Sequence, residues 1–517
     1  MSTPPVDPHL PAVHLRPPRN WINDPNGLVF HDGHYHVFFQ YNPYGPQHAN
    51  MHWGHFRSPD LVTWEELPIA LAPTAGGDDA AGCFSGNAVS VDGRMVAFYS
   101  ANRTGRWWQP VTTAESHDGG HTWAKRPESL IPHPPADTTM YRDPYVWQQD
   151  GRWRMLVGSA LADGRGAAQL YESTDLDNWQ HLGPFAADAP RPLPGGTDTG
   201  AGWECPQYAF WPTPDGAGRP GLLIVSTWDT DAGPLATAAY PGRETPDGTF
   251  HPSAPVRLDH GPDFYAPALL RAPDGRWLLW AWSWEAREPT WVREAGWAGL
   301  LTLPREISLA ADGTVHQQPA REVAGLRGEQ LLYATGRAQA DPAALGEVGA
   351  TFDLTARLMP SPGRPGGLRL VTSADGSEHL DVTVDTVAGE VVVDRSRASR
   401  DPRAVGGTYR IPCPAARPGA PVELRMVVDR SVLELFLSTG EALTLRLYPV
   451  SDAPWSLRAR SVDFTVQAWT LTAPAGPVRG TATQDATQDA LHAHHPNPAQ
   501  GAPCPEPPVP AADFSRP

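Results

Sequence analysis

Cysteine is scarce in this chain, which has only four cysteines in 517 residues. Cys83, Cys205, Cys413 and Cys504 are too few and too scattered for a disulfide framework or a zinc site. Long apolar runs are missing as well, since none approaches the roughly 18 residues that a membrane-spanning helix needs. Residues 1–11 also lack the basic and apolar segments of a signal peptide. These absences predict a cytoplasmic protein that has no membrane partner.

Positive charge is also in short supply, because 40 basic side chains face 57 acidic ones and the net charge is −17. Such a balance argues against nucleic acid and against anionic membranes as partners. Tryptophan, by contrast, is abundant, with 20 residues. Aromatic faces stack on the C–H faces of sugar rings, so this composition is compatible with a carbohydrate partner, although packing in a core is the commoner use of any one tryptophan.

The length of the chain favours two domains, and the first part contains a long-period repeat. An Asp-Gly pair precedes an apolar, aromatic-rich run five times, at residues 32–33, 92–93, 150–151, 215–216 and 274–275. Asp-Gly between strand-like runs is a strong signal for a β-hairpin. The hairpins recur at intervals of roughly 60 residues, a period typical of repeat architectures or just above it.

A second repeat alternates with the first and has the form Ser-x-Asp followed by Trp, at residues 58–64, 116–123 and 173–179. Each copy is interpreted as a turn that joins the outer strands of one unit. Five all-β units without helical periodicity predict a five-bladed β-propeller over residues 9–309. A β-sandwich built from the same hairpins is the competing fold, but it explains a long-period repeat less well.

The second part of the chain has a different texture. Residues 310–345 are predicted to be a linker with a short helical stretch near residues 321–332. Short strand-like runs separated by polar turns follow, and they predict a β-sandwich domain over residues 346–472. Residues 473–517 are rich in Pro, Ala, Gly and Thr and poor in large apolar side chains, so this tail is predicted to be disordered.

Three acidic residues stand in rigid, proline-stopped settings. Asp24 lies within WINDPNG at residues 21–27, Asp143 within Arg-Asp-Pro, and Glu204 within Glu-Cys-Pro. Each precedes the Asp-Gly turn of its own unit by 7 to 11 residues, which places it on the first strand of that unit. In a propeller this strand lines the central channel. The repeat therefore predicts that the three carboxylates converge at one mouth of the channel.

These three motifs, in this order, resemble the signature motifs of glycoside hydrolase family 32, the β-fructosidases. The resemblance extends through QYNP at residues 40–43, FSG at residues 84–86 and GPDFYAP at residues 261–267. It covers roughly residues 9 to 472 and implies a five-bladed propeller followed by a β-sandwich. An ordered set of several motifs is much more specific than any one of them.

The resemblance also implies roles for individual residues. Asp24 would be the nucleophile, Glu204 the general acid/base, and Asp143 a stabiliser of the transition state. Sugar contacts are expected from a further set: Asn23, Gln40, His48, Trp53, Phe84, Ser85, Arg142 and Trp282. His48 stands where many members of the family have a tryptophan, so a hydrogen bond is expected there in place of a stacking contact.

The chemistry of the implied reaction is consistent with these residue types. Cleavage of a fructoside needs one carboxylate to attack the anomeric carbon and one carboxylic acid to protonate the leaving oxygen. Amide donors such as Asn23 would favour the ionised form of Asp24, and Arg142 would keep Asp143 ionised. Glu204 has to carry a proton before the bond breaks. No metal ion or organic cofactor is expected.

Several functional alternatives fit the same residues. A retaining exo-hydrolase that releases terminal β-D-fructose from sucrose or short fructans is the leading hypothesis. A fructosyltransferase would use the same site with a sugar acceptor in place of water. A catalytically silent sugar-binding propeller is a third hypothesis, and a glycosidase that acts on arabinose or xylose is a fourth. Trp107, Trp108 and Trp291 would either line a subsite or pack within loops. The sandwich would stabilise the propeller or form a homo-oligomer.

Overall fold

In the computed structural model, residues 7–212, 218–339, 342–361 and 363–473 are described. The chain is nearly all β, with an N-terminal propeller followed by a C-terminal sandwich. No helix within the described ranges is long and apolar enough to cross a membrane. Strands are numbered below in chain order.

The first three sheets of the propeller are antiparallel and follow one another along the chain. The first contains β1 (Asn20–His31), β2 (His34–Asn42), β3 (His52–Ser58) and β4 (Glu65–Leu71). The second contains β5 (Gly82–Val91), β6 (Arg94–Asn102), β7 (Val111–Ser116) and β8 (Ala124–Lys125). The third contains β9 (Thr138–Gln149), β10 (Arg152–Leu161), β11 (Gly166–Ser173) and β12 (Gln180–Asp188).

Two further sheets complete this part of the chain. The fourth contains β13 (Gly202–Phe210), β14 (Arg219–Asp229), β15 (Gly233–Glu244), β16 (Phe250–Pro252) and β17 (Val256–Arg257). The fifth contains β18 (Tyr265–Arg271), β19 (Trp277–Ser283), β21 (Leu300–Leu301), β22 (Arg305–Leu309) and β23 (Val315–Pro319). Helix α1 (Pro289–Ala295) and the short strand β20 (Trp297–Ala298) lie between β19 and β21 in the chain. Strand β20 returns to pair in parallel with β1.

The first strands of the five sheets contact one another in a closed ring. Strand β1 contacts β5, β5 contacts β9, β9 contacts β13, β13 contacts β18, and β18 contacts β1. Large apolar side chains from neighbouring sheets fill the space between them, and Trp203, Trp280 and Tyr208 are among the largest side chains that are completely buried. The ring of first strands is the frame on which the candidate site is built.

The turn signals in the sequence are confirmed where the structure describes them. The Asp-Gly pairs at residues 32–33, 92–93 and 150–151 each form a two-residue hairpin, with positive φ at both residues. The pair at residues 274–275 lies between β18 and β19, whereas the pair at residues 215–216 lies outside the described residues. The three Ser-x-Asp segments connect the third and fourth strands of their sheets, as predicted.

The predicted helix at residues 321–332 is only partly correct. A 3₁₀ helix spans Arg321–Leu326, but the next residues form β24 (Arg327–Arg337), which pairs with the last strand of the chain. The stretch predicted to be a linker therefore includes a strand of the sandwich. The local pattern is compatible with a helix, but pairing with a strand about 130 residues away in sequence makes this segment a strand. A pattern read over neighbouring residues cannot detect such a distant partner.

The sandwich consists of two six-stranded sheets. After β24 its strands are β25 (Ala343–Glu347), β26 (Thr351–Pro360), β27 (Gly366–Val371), β28 (His379–Asp385), β29 (Glu390–Asp394), β30 (Thr408–Pro412), β31 (Val422–Asp429), β32 (Val432–Leu437), β33 (Ala442–Arg446), β34 (Ser456–Arg460) and β35 (Val462–Leu471). The sheet orders are β24-β35-β26-β31-β32-β33 and β25-β34-β27-β28-β29-β30. One apolar core lies between the sheets. The predicted tail lies outside the described residues, apart from residue 473.

Candidate active site

Each of the five first strands has a register irregularity near its start or, in β9, near its middle. The irregularities fall between these pairs of partnered residues: Ile22 and Pro25 in β1, Cys83 and Gly86 in β5, Arg142 and Pro144 in β9, Glu204 and Gln207 in β13, and Tyr265 and Ala268 in β18. A β-bulge bends a strand and turns a side chain away from its normal face. These bulges therefore direct polar side chains from all five strands toward one end of the ring.

The backbone at three of these bulges is strained. Asp143, Cys205 and Ala266 have φ values of 67°, 45° and 47°, in the left-handed region that residues with a Cβ rarely adopt. Strain of this kind persists only where the surrounding structure imposes it, and it is concentrated at functional sites. Asp143 is one of the three acidic residues that the sequence singled out, and Cys205 directly follows another, Glu204.

Asp24 lies on β1 and accepts hydrogen bonds from three side chains. The Ser85 hydroxyl donates to Asp24 Oδ2 over 2.5 Å, and the Gln40 amide donates to the same oxygen over 3.3 Å. The Asn23 amide donates to Asp24 Oδ1 over 3.1 Å. Gln40 also donates to the Ser85 hydroxyl, so the donors support one another. The structure thus brings Asn23, Gln40 and Ser85, three of the predicted sugar contacts, together around Asp24.

Burial has a larger effect on Asp24 than these donors do. It raises the pKa of Asp24 from 3.8 to about 6, with a further upward contribution from the charge of Glu204, while the hydrogen bonds from Ser85 and Asn23 oppose the shift. Asp24 is consequently ionised above about pH 6 and protonated below it. The Asp24 carboxyl is therefore mostly ionised at neutral pH, but its pKa is closer to neutrality than the amide donors alone suggested.

Glu204 on β13 is held from two sides. Arg142 donates from Nε over 2.9 Å and from Nη2 over 2.7 Å, both to Glu204 Oε1. The Tyr265 hydroxyl lies 2.6 Å from Glu204 Oε2 and 2.9 Å from the Thr227 carbonyl oxygen. The Arg142 guanidinium also lies over the ring of Trp228, 5.3 Å from its centroid. The orientation of the Glu204 carboxylate is therefore fixed at both oxygens.

Cys205 connects the other two carboxylates. Its backbone N–H donates to Asp143 Oδ2 over 3.0 Å. Its Sγ lies 3.6 Å from that oxygen and 3.7 Å from Asp24 Oδ2. Burial raises the pKa of the Cys205 thiol well above its ordinary value, so it stays protonated beside the acids. The contacts of Cys205 show that Asp24 and Asp143 face the same small volume.

The partner of Arg142 differs from the expectation. Arg142 forms its hydrogen bonds with Glu204 and not with Asp143. Its positive charge lowers the pKa of Asp143, but burial raises that pKa more strongly, to about 7, and the charges of Glu204 and Asp24 add to the rise. The prediction that Arg142 keeps Asp143 ionised was therefore wrong. The cost of burying the Asp143 charge exceeds the attraction of that charge to Arg142, so the pKa of Asp143 is raised and not lowered.

Aromatic side chains surround the carboxylates. Phe84 is partly buried and meets the exposed His48 ring edge-on, with 5.8 Å between the centroids. The Trp21 ring packs edge-on against His48 at 5.9 Å and against Trp282 at 5.6 Å. His48, Phe84 and Trp282 thus belong to one continuous aromatic wall, and each keeps some exposed surface.

Trp53 is the predicted sugar contact that does not reach this wall. Its side chain is completely buried and packs in an apolar core with Phe38, Cys83 and Tyr99. The indole Nε1 donates to the Phe84 carbonyl oxygen over 3.1 Å. Without exposed surface Trp53 cannot contact a sugar directly, so the expectation is corrected: this residue positions Phe84.

Family models match almost the whole described chain. The model of the glycosyl hydrolases family 32 N-terminal domain matches residues 14–319, and that of the family 32 C terminal matches residues 322–470. The chain belongs to glycoside hydrolase family 32. It is therefore a glycoside hydrolase, and the resemblance drawn from its motifs is confirmed.

Family 32 enzymes from bacteria are similar over most of their length. The raffinose invertase of Escherichia coli is 33% identical over 477 residues, which cover 86% of this chain and 90% of the relative. The sucrose-6-phosphate hydrolase of Zymomonas mobilis is 31% identical over 506 residues, covering 89% and 92%. Among solved structures, fructan 1-exohydrolase IIa from Cichorium intybus has a TM-score of 0.78 at 25% identity, covering 90% of this chain and 98% of that one.

Two residues of this family 32 site were not among the predicted ones. Tyr265 lies within a motif that supported the resemblance, but nothing in the sequence linked its hydroxyl to Glu204. Ser100 on β6 accepts a hydrogen bond from the Asp143 backbone N–H over 2.7 Å, and its hydroxyl donates to the Ser85 carbonyl oxygen over 3.0 Å. A buried serine in a strand carries no distinctive local signal, so only the tertiary structure identifies it.

The described residues contain no group of three or more His, Cys, Asp or Glu side chains that could hold a metal ion. The chemical resources of the site are therefore three carboxylates, one guanidinium, one phenol and the amide and hydroxyl donors around Asp24. Such a set can attack a carbon centre, transfer a proton and stabilise positive charge.

Proposed function

We propose that this family 32 enzyme is a retaining, exo-acting β-fructofuranosidase that hydrolyses terminal β-D-fructofuranosides such as sucrose and short fructans. The observation that carries the proposal is the joint position of Asp24, Asp143 and Glu204 at one end of the ring of first strands. The names of the similar bacterial enzymes and of the fructan exohydrolase support the substrate class. The acidic groups supply what the cleavage of a fructoside needs.

Asp24 acts as the nucleophile in this proposal. Its ionised carboxylate attacks the anomeric carbon of the fructosyl group, and the bond from that carbon to the leaving oxygen breaks. Glu204 gives its proton to the leaving oxygen as the bond breaks. Glu204 then accepts a proton from water, and the hydroxide equivalent displaces Asp24 from the anomeric carbon. Two displacements restore the original anomeric configuration.

Asp143 and the donors around Asp24 bind the fructosyl ring and stabilise the transition state. As positive charge develops on the fructosyl ring, a carboxylate at Asp143 holds the ring hydroxyls more strongly than in the ground state. Arg142 and Tyr265 fix Glu204, so little reorganisation is needed at the moment of proton transfer. The aromatic wall of His48, Phe84 and Trp282 supplies the apolar surface on which a sugar ring packs.

The architecture has finer features that belong to the same proposal. The five sheets with their closed ring of first strands support a five-bladed propeller that extends past the predicted bounds 9–309 to β23, and the two six-stranded sheets support a sandwich domain that begins before the predicted bounds 346–472, at β24. Association through the sandwich into a homo-oligomer, and the cytoplasmic location, stay predictions from the sequence.

The deciding experiment is an incubation of the purified protein with sucrose, sucrose 6-phosphate, inulin and levan, with the products resolved by chromatography. Free fructose is expected, and its anomeric form in the first minutes, followed by proton NMR, should be β. Fructose transferred to a second sugar at high sucrose would identify a fructosyltransferase instead. A folded protein that binds these sugars without releasing fructose would contradict the proposal.

A further inference from the structure

Trp107 differs from every other tryptophan of the chain. All 20 tryptophans lie within the described residues, and 19 of them are buried or partly buried. Trp107 alone exposes more than a third of its surface, 51%. An exposed indole face of this size is available to stack on a ligand.

The Trp107 side chain stands on a built support. Its ring packs edge-on against Trp108, with 5.3 Å between the centroids. The Trp108 indole donates to the Pro132 carbonyl oxygen over 3.0 Å, and the Arg106 guanidinium lies 5.6 Å from its ring centroid. Arg106 in turn pairs with Asp78 over 3.1 Å. The exposed ring is therefore held in place by a network that continues into a neighbouring loop.

The loop that carries Trp107 lies at the catalytic end of the ring. It connects β6 to β7, and the last residue of β6, Asn102, is paired with Gly82 at the start of β5. Two residues after Trp107, the backbone N–H of Gln109 donates to the Tyr141 carbonyl oxygen over 2.9 Å. Tyr141 directly precedes Arg142, which holds Glu204. The platform is thus tied to the strand that positions the proton donor.

We propose that Trp107 is a stacking platform for the second sugar ring on the leaving-group side. In the proposed reaction Glu204 protonates the glycosidic oxygen, so the first leaving ring lies beside Glu204 and Arg142, and the loop that carries Trp107 is joined through Gln109 and Tyr141 to the strand that carries Arg142. Its exposed indole presents an apolar face to the C–H face of that second ring. This inference rests on the proposed function and adds to it a preference for leaving groups of two rings.

The test compares substrates that differ by one ring. Raffinose and 1-kestose leave a two-ring group after loss of the terminal fructose, whereas sucrose leaves one ring. In Trp107→Ala the ratio of kcat/KM for raffinose or 1-kestose to that for sucrose should fall about tenfold relative to the unmodified enzyme, because only the two-ring leaving groups lose a stacking contact. Trp107→Phe should retain most of the ratio. Tyr333→Ala removes a 63% exposed aromatic from the sandwich and should leave the ratio unchanged.

A second measurement keeps the inference separate from the proposed function. Calorimetric binding of raffinose and of sucrose is compared in Asp24→Asn and in Asp24→Asn combined with Trp107→Ala, where no turnover interferes. Selective loss of raffinose affinity supports the platform even if no fructose release is found. An unchanged ratio in both measurements, or an equal loss for the one-ring and two-ring leaving groups, would overturn it, while fructose release from sucrose would still support the proposed function.

Discussion

Asp24 combines two demands that oppose each other. The nucleophilic role proposed for it requires the ionised form, yet it lies in a buried setting that raises its pKa from 3.8 to about 6. The donors from Ser85, Asn23 and Gln40 recover part of this cost but not all of it. The site therefore holds a destabilised charge, as expected where stability is exchanged for function.

Replacing Asp24 by Asn should separate these two effects. Turnover should fall by about 10⁴-fold or more, because the amide cannot form the covalent intermediate. Because the folded-state pKa is raised, the ionised carboxylate costs stability above about pH 6, and this cost disappears as the pH falls below about 4. Asp24→Asn should consequently be more stable than the unmodified protein at pH 8, by about 1–3 kcal/mol, and not at pH 4.

The measurements for this variant are initial rates and thermal denaturation at both pH values. Asp92→Asn is the matched control, since the Asp92 side chain is 81% exposed in a hairpin turn and its replacement should change neither quantity. Full activity of a folded Asp24→Asn protein would remove Asp24 from its proposed role.

Tyr265 orients Glu204 through a single hydroxyl. Tyr265→Phe deletes the contact of 2.6 Å to Glu204 Oε2 while the ring still stacks on Trp284 at 5.3 Å. We expect kcat to fall about 10- to 100-fold with a small change in KM, because the loss affects proton transfer more than binding. Steady-state kinetics on sucrose check this, with Tyr240→Phe as a control on the outer part of the fourth sheet. Unchanged kcat would show that Arg142 alone orients Glu204.

At the scale of elements, the bulges at the start of the first strands set the geometry of the site. Next to Ser85, strand β5 approaches β6 so closely that a Cβ on Gly86 would lie 1.9 Å from the Phe98 carbonyl oxygen. The obstacle is backbone, which cannot move aside as the end of a flexible side chain could. Glycine at this position is therefore required for the close approach of the two strands.

Gly86→Ala should destabilise the second sheet and displace Ser85 from Asp24. We expect a loss of more than about 2 kcal/mol in the free energy of unfolding, from overpacking, and a loss of activity in the protein that remains folded. Gly325→Ala is the control, because a Cβ there meets no atom within 4 Å. Chemical denaturation measures the first effect and specific activity the second. A stable and active Gly86→Ala protein would contradict the requirement for glycine at this position.

At the scale of the whole molecule, buried charges join the sandwich to the propeller. Arg305 on β22 pairs with Glu434 on β32 over 2.6 Å and with Asp259 over 2.8 Å, and all three side chains are completely buried. His14 bridges Glu434 and Asp429 at 3.0 and 2.9 Å, also without exposure. A second buried pair joins Arg395 of the sandwich to Asp263, and Asp263 precedes Tyr265 by two residues in the chain. The sandwich thereby anchors the start of β18, whose Tyr265 contacts Glu204.

His14 makes this junction sensitive to alkaline pH. Burial lowers the pKa of His14, but its two carboxylate partners raise it further, to about 9. A raised folded-state pKa contributes stability that is fully present below pH 6.5 and is lost as the pH rises through about 9. His14→Gln should cost about 3 kcal/mol at pH 6.5, since it leaves two buried carboxylates without one of their cations. The difference should narrow at pH 9.5.

Thermal denaturation of both proteins between pH 6 and 10 measures this effect. His117→Gln is the control, because the His117 side chain is 70% exposed and its replacement should leave the pH dependence unchanged. A constant difference between His14→Gln and the unmodified protein over this range would show that His14 is neutral in the junction.

Local patterns determined a large part of this molecule. The Asp-Gly turns and the Ser-x-Asp turns mark hairpins whose formation depends on a few neighbouring residues, so the sequence predicted where neighbouring strands of the first sheets meet. The motifs around Asp24, Asp143 and Glu204 identified the family and placed these residues on first strands. The short strand-like runs predicted for the second part of the chain are present as strands for the same reason, β31 and β32 among them, because their patterns are regular and short-range.

Other features depended on contacts between distant segments. Arg142 pairs with Glu204 in place of Asp143 because the bulges set the direction of each side chain. Trp53 is buried because the second sheet covers it, and β24 is a strand because β35 lies beside it. Burial, pKa and pairing partner are properties of the surroundings of a residue, and those surroundings exist only once the chain has folded. Sequence alone therefore singled out the three carboxylates proposed to act in catalysis, and the tertiary structure decided how each one is held.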